Sequence, residues 1–238
     1  MASKNVVATE VVEIKAPDYR TVVVTIEGTT PLITHAFSEK ARRMMLEAQQ
    51  REAKAKAPKE KRDPFADFMN ALHWITEKPM DSTPEAFEKA INAGAKFGFP
   101  VSGIKEAELS AAYREGSIQN KVGVRGLFHI HSMNEDESSF YGLSEELAEI
   151  LTPEPPVMRE DMVRIGGVSK TADLRYRPMF NRWKIRVRVM YDANGLLSLN
   201  SIVNMINKGG FMVGLGEWRT EKNGSGDYGM FRVVNVEG

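Results

Sequence analysis

The stretch NRWKIRVRVMYD, residues 181–192, alternates without a break between apolar and charged side chains. Successive side chains of an extended strand point to opposite faces, so Trp183, Ile185, Val187 and Val189 fall on one side and Lys184, Arg186 and Arg188 on the other. The pattern predicts a strand with one face in the core and a ladder of cations on the other. Three like charges at alternate positions repel, and burying them unpaired is costly. The ladder is therefore either open to an anionic ligand or matched by carboxylates on neighbouring strands.

Downstream, ANGL reads as a turn and Ser198 as the cap of a helix through SLNSIVNMINKGG, with Gly209 as its stop. A glycine-rich segment follows, GGFMVGLGEWRTEKNGSGDYG, and YGMFRVVNV closes as a strand. Upstream, YRTVVVTIEGTTPLI is a first strand leaving through a turn at Gly28 and Pro31, and VRGLFHIHSM is another strand. In FGFPVSGIKEAELSAAYREG, residues 97–100 read as extended and Ser102 as the cap of a helix carrying Ile104, Leu109 and Ala112. The order is β-α-β-β-α-β. This is an α+β, ferredoxin-like plan: an antiparallel sheet carrying both helices on one face and leaving the other free.

A helical insertion, residues 38–96, interrupts this plan after the first strand. Ser38, Asp63 with Pro64, and Ser82 or Thr83 with Pro84 are its caps, and His73 is placed on an apolar helix face. SEELAEIL reads as a short helix, TPEPPV as a linker or loop, and residues 158–180 as a protruding basic hairpin with Gly166 and Gly167 at its centre.

Composition narrows the chemistry. The 238 residues contain no cysteine, which removes disulfides, thiolate metal sites and thiol nucleophiles. The N-terminal segment carries charges where a signal peptide needs an apolar core, and no run reaches membrane-spanning length, so a cytoplasmic location is expected. The 32 basic and 32 acidic side chains cancel, yet they are segregated. Residues 158–188 carry nine Lys or Arg against three acids, and residues 134–154 carry seven acids and no base. Such segregation can focus an anionic ligand on one surface of a neutral protein.

Phosphates suit the ladder, and aromatic or guanidinium planes suit bases. The candidate nucleic-acid-binding residues are therefore Arg164, Lys170, Arg175, Tyr176, Arg177, Lys184, Arg186, Arg188, Trp218, Arg219, Lys222 and Tyr228, with Gly214 and Gly216 as the backbone that a ligand could approach. The glycines read equally as an anion-binding nest or as a long hairpin with positive φ. His129 and His131 share a strand face but lack a third ligand at sensible spacing, so neither a metal nor another cofactor is expected. No nucleophile elbow, zinc-protease pair or phosphate loop occurs.

The closing WKIRVRVMYD…SIVNMINKGGFMVGLGEWRTEKNGSGDYGMFRVV resembles the RAMP superfamily, RNA-binding proteins that form the backbone of CRISPR effector complexes. FGFPVSGIKEAELSAAY is similar to the entry of the first helix in those subunits, with Pro100, Ser102 and Lys105 at the matching places. TPLITHAFSEKARRMM and MVRIGGVSKTADLRYRP are also similar to small phage and prophage proteins. The resemblance implies a single RAMP-like (RRM-like) domain over residues 1–238. It also implies that Gly214, Gly216, Arg219, Lys184, Arg186 and Arg188 hold a single strand, and that subunits stack side by side along it. The expected function is non-catalytic binding of single-stranded DNA or RNA by a homo-oligomer or filament. The alternatives are a decoy that docks on phage or CRISPR proteins, and a metal-independent endoribonuclease using His35 or His129.

Overall fold

The computed structural model describes residues 15–37, 42–43, 45–46, 49, 62–133, 146–165, 171–221 and 226–238. The chain is α+β. Strand β1 (Tyr19–Gly28) and strand β8 (Lys184–Asp192) lie antiparallel at the centre of a six-stranded sheet, β9 (Phe231–Glu237) pairs with the far side of β1, and β4 (Phe128–His131) and β5 (Leu147–Leu151) pair with β8. Helix α3 (Val101–Glu115) precedes β4, and helix α5 (Leu199–Met212) joins β8 to β9. The ferredoxin-like order is thus present, with its second strand broken in two. His131 pairs with Arg188 and Ile150 with Ile185, so β4 and β5 run along successive stretches of one side of β8. The short β3 (Gly98–Pro100) pairs with β5 and extends the edge.

The helices cover one face. Val24 and Ile26 of β1, Ile185, Val187 and Val189 of β8, and Phe128 and Ile130 of β4 are buried in one core with Ile104, Leu109, Ile202 and Ile206 of the two helices. Gly209 and Gly210 do not stop α5, which runs on to Met212. They are contact points: a β-carbon on Gly209 would stand 3.0–3.1 Å from backbone of Ala107 and Glu108 in α3. The small residue lets two helices cross closely, and that packing keeps the segment helical despite glycine's propensity cost.

The insertion contributes α1 (Pro64–Ala71) and α2 (Pro84–Asn92). Their caps are those expected: the Asp63 carboxylate accepts from the amides of Phe65 and Ala66, and the Thr83 hydroxyl accepts from that of Ala86. A run of aromatic contacts ties both helices to the sheets, Phe68 to Phe87 at 5.3 Å, Trp74 to Phe97 at 4.9 Å and Phe97 to Phe180 at 6.1 Å. Such edge-on and tilted pairs each add about 0.5–1.5 kcal/mol to the burial itself. The short β2 (Leu32–Ile33) and the hairpin of β6 (Val157–Ile165) and β7 (Thr171–Phe180) form a second, three-stranded sheet. Among the described residues, no helix is long and apolar enough to cross a membrane.

Three local expectations are corrected. The SEELAEIL segment contributes the strand Leu147–Leu151, because pairing with β3 and β8 outweighs the helix propensity of Leu, Ala and Glu. Pro100, not Ser102, precedes the first turn of α3, and no side chain caps it. Helix α1 ends at Ala71, which leaves His73 beyond it. The proposed cap Ser38 lies outside the described residues.

Candidate nucleic-acid interface

The face of the large sheet opposite the helices is uncovered by any described helix. Register fixes its pattern. Glu27 of β1 stands between Lys184 of β8 and Arg232 of β9; Thr25 stands between Arg186 and Asn235; Val23 stands between Arg188 and Glu237. His131 continues the third row beyond Arg188, and Met190 and His129 form the next. Rows on one face of a strand repeat at about 6.8 Å. Four cations, Lys184, Arg186, Arg188 and Arg232, therefore occupy three successive rows.

Carboxylates of the neighbouring strands pair with Lys184 and Arg186. Lys184 pairs with Glu27 at 3.0 Å, Arg186 with Glu237 at 3.2 Å, and Arg232 shares Glu27 at 3.4 Å. Arg188 donates from Nε to the Ser132 carbonyl at 2.9 Å. Hydrogen bonding and charge from Lys184, with Arg232 behind them, hold the Glu27 carboxyl below its usual range. The cations are exposed, 52% for Lys184 and 67% for Arg232, and Glu27 between them is half-buried at 31%. Exposed pairs contribute roughly 0–1 kcal/mol and are screened by salt, so a phosphate displaces such a carboxylate at little cost.

The glycine-rich segment lies elsewhere. It closes a cleft of about 450 Å³ on the helix side, where Gly214, Gly216, Glu217 and Arg219 meet His35, His73 and the first turns of α3. Gly214 and Gly216 both have φ of +73°, and a β-carbon on Gly216 would stand 2.1 Å from the Ile33 carbonyl oxygen. The amides around them are already engaged: Leu215 donates to Gly229, Glu217 to Ile33 and Gly229 to Pro31. Of the two readings of this loop, the structure has the one in which glycine permits close packing and left-handed turns; these amides do not form an open nest.

The aromatic and guanidinium groups near the loop turn inward. Arg219 donates to the Gly216 carbonyl at 2.9 Å and pairs with Glu221 at 3.3 Å. Trp218 holds φ of +55°, and its Nε1 is buried without a hydrogen-bond partner among the described residues. Arg159 donates to the Tyr228 hydroxyl at 2.7 Å, lies 4.6 Å above its ring, and pairs with the buried Asp161 at 2.7 Å. Arg177 is buried between Asp161 and Glu217, each at 3.4 Å. This network locks the β6–β7 hairpin to the glycine-rich segment. Arg175 pairs with Asp173 at 2.9 Å, Tyr176 lies beneath Arg62 at 5.6 Å, and Arg164 is exposed on β6. Lys170 and Lys222 lie outside the described residues.

The structure thus brings Lys184, Arg186 and Arg188 together on the open face, and Gly214, Gly216 and Arg219 together in a cleft on the other side of the sheet. Sequence reasoning missed Arg232 and the partner carboxylates Glu27 and Glu237. The alternation of FRVVNVE carries the signal for Arg232, since Phe231 and Val233 face the core around it. Burial, then the charges of Lys105 and His131, push His129 below the usual imidazole range, leaving a neutral ring on this face at pH 7. Among the described residues, no group of three His, Cys, Asp or Glu side chains could hold a metal ion.

No family model matches the sequence, and no curated protein does. Among solved structures, the chain is similar to a chain of the Type III-B Cmr-beta, solved by cryo-EM bound to cognate target RNA, at 12% identity and a TM-score of 0.45. The match covers 92% of this chain and 60% of that one, so this chain spans about three-fifths of its length. A likeness at that level assigns neither family nor function.

Proposed function

We propose that the chain is a non-catalytic protein that binds single-stranded nucleic acid through the helix-free face of its six-stranded sheet. The observation that carries this reading is the cross-strand arrangement of Lys184, Arg186, Arg188 and Arg232 in three successive rows, with the Glu27 and Glu237 pairs reachable by solvent. Phosphates laid along β8 replace Glu27 and Glu237, and binding of this kind is sequence-tolerant and steeply dependent on salt. The RAMP-like character of the closing segment and side-by-side assembly along the strand belong to the same proposal.

Fluorescence anisotropy with labelled single-stranded DNA and RNA, titrated at several salt concentrations, is the test. The wild-type chain is expected to bind with a negative slope of log K against log salt, and the triple variant Lys184→Glu, Arg186→Glu, Arg188→Glu to lose most of that affinity and slope. Equal affinity in the two proteins refutes the proposal.

A further inference from the structure

One row beyond Arg188 the open face changes character. Met190 lies on the same side of β8, with His129 of β4 beside it, and Tyr19 of β1 stands one row further, opposite Asp192. Tyr19, Leu127, His129, Met190 and Leu196 line a cavity of about 350 Å³. Its rim holds two large apolar side chains in water, Tyr19 at 72% and Leu196 at 88% exposure. Large apolar groups around a concavity mark a contact surface more often than a scattered single exposure does.

We infer that this cavity takes a nucleobase of the strand whose phosphates follow Lys184, Arg186 and Arg188. The inference rests on the binding reading above and adds the base-contacting part of the same surface. Position argues for it first: the cavity continues the line of the cations along β8, and Arg188 is one row, about 6.8 Å, from Met190. That alignment suits a polyanion carrying flat groups better than a neutral or acidic peptide. Size agrees. At about 350 Å³ the cavity is near the lower end of ligand pockets, roughly 300–1,000 Å³, and has room for a nucleobase. The chemistry is also that of a base site. Tyr19 and His129 offer π faces on either side of a thioether floor, and stacking on such faces tolerates every base. The neutral His129 ring has one donor and one acceptor nitrogen for a base edge.

The test compares a thymidine oligonucleotide with an abasic oligonucleotide of equal length, using the full chain. Wild type is expected to prefer the base-bearing strand by about five- to a hundredfold. Tyr19→Ala and His129→Ala are expected to lose that preference while binding the abasic strand as wild type does. In parallel, the His129 imidazole resonances are followed on addition of adenosine, which has no phosphate; they should shift in wild type and stay fixed in Tyr19→Ala. Strand binding with an undiminished preference in both variants and no adenosine shift overturns the cavity while sparing the cation rows. An adenosine shift without strand binding keeps the cavity and overturns the rows. A larger His129 shift with N-acetyltryptophanamide than with adenosine overturns the base assignment in favour of a protein side chain.

Discussion

Gly210 in α5 and Phe231 at the start of β9 approach so closely that a β-carbon on the glycine would stand 2.0 Å from the Phe231 carbonyl oxygen. The atom met is backbone, so relief requires the helix to move off the strand. Gly210→Ala is expected to lower stability by about 1–3 kcal/mol from overpacking, even against the roughly 1 kcal/mol that alanine gains in a helix. Urea unfolding measures it. Gly123→Ala in α4 (Lys121–Arg125), where a β-carbon meets nothing within 4 Å, is the control and should be neutral or stabilising.

Those glycines also show what one strand of text conceals. The alternation over residues 181–192 and the caps at Asp63, Thr83 and Ser198 are local, and the structure has them where the pattern puts them. Gly209 reads as a helix stop because nothing nearby in sequence reveals that Ala107 presses on it, or Phe231 on Gly210 beside it. The segment at Leu147–Leu151 reads as helix for the same reason, its strand being imposed by partners in β3 and β8. The candidate site was legible to the same depth. Which face Arg186 takes follows from alternation, but its carboxylate is Glu237, 51 residues away, and only the register of β9 on β1 brings it there.

Glu108 is fully buried in α3, neither carboxylate oxygen has a hydrogen-bond partner among the described residues, and Gly209 packs on its backbone. Burial pushes its carboxyl well above the usual range, with Lys105 opposing only in part. The native state therefore holds a proton that the unfolded chain releases near its ordinary value of about 4.3. Stability contributed here is complete below that pH and falls as pH rises towards the raised native value. Glu108→Gln, which keeps the neutral shape, should match wild type near pH 4 and exceed it at pH 8 by at least about 2–4 °C in Tm. A constant offset across pH would show that Glu108 is not the titrating group.

Asp161 is 4% exposed and faces both Arg159 and the buried Arg177. Asp161→Asn removes the anion from between two cations, and breaking a buried pair from one side costs about 3–5 kcal/mol. The lower end is expected, because Arg177 keeps Glu217 at 3.4 Å. The hairpin then loses its hold on Tyr228. Limited proteolysis should cut within residues 157–180 faster than in wild type, and urea unfolding should give the matching loss. The open sheet face is untouched, so strand affinity per folded molecule should stay unchanged.

Glu27 discriminates between the two surfaces, because it neutralises the open face from the middle strand, bonding both Lys184 and Arg232. A bound phosphate competes with it, so Glu27→Gln should raise affinity for single strands. Exposed pairs are worth at most about 1 kcal/mol each, so the two that Glu27 makes bound the gain at about thirtyfold. The gain should shrink as salt screens both partners. Glu221 plays the corresponding part in the cleft, paired with Arg114 at 2.8 Å and Arg219 at 3.3 Å. If the strand lies on the sheet, Glu221→Gln leaves anisotropy titrations unchanged while Glu27→Gln tightens them; the opposite ranking would move the binding surface to the cleft beside Arg219.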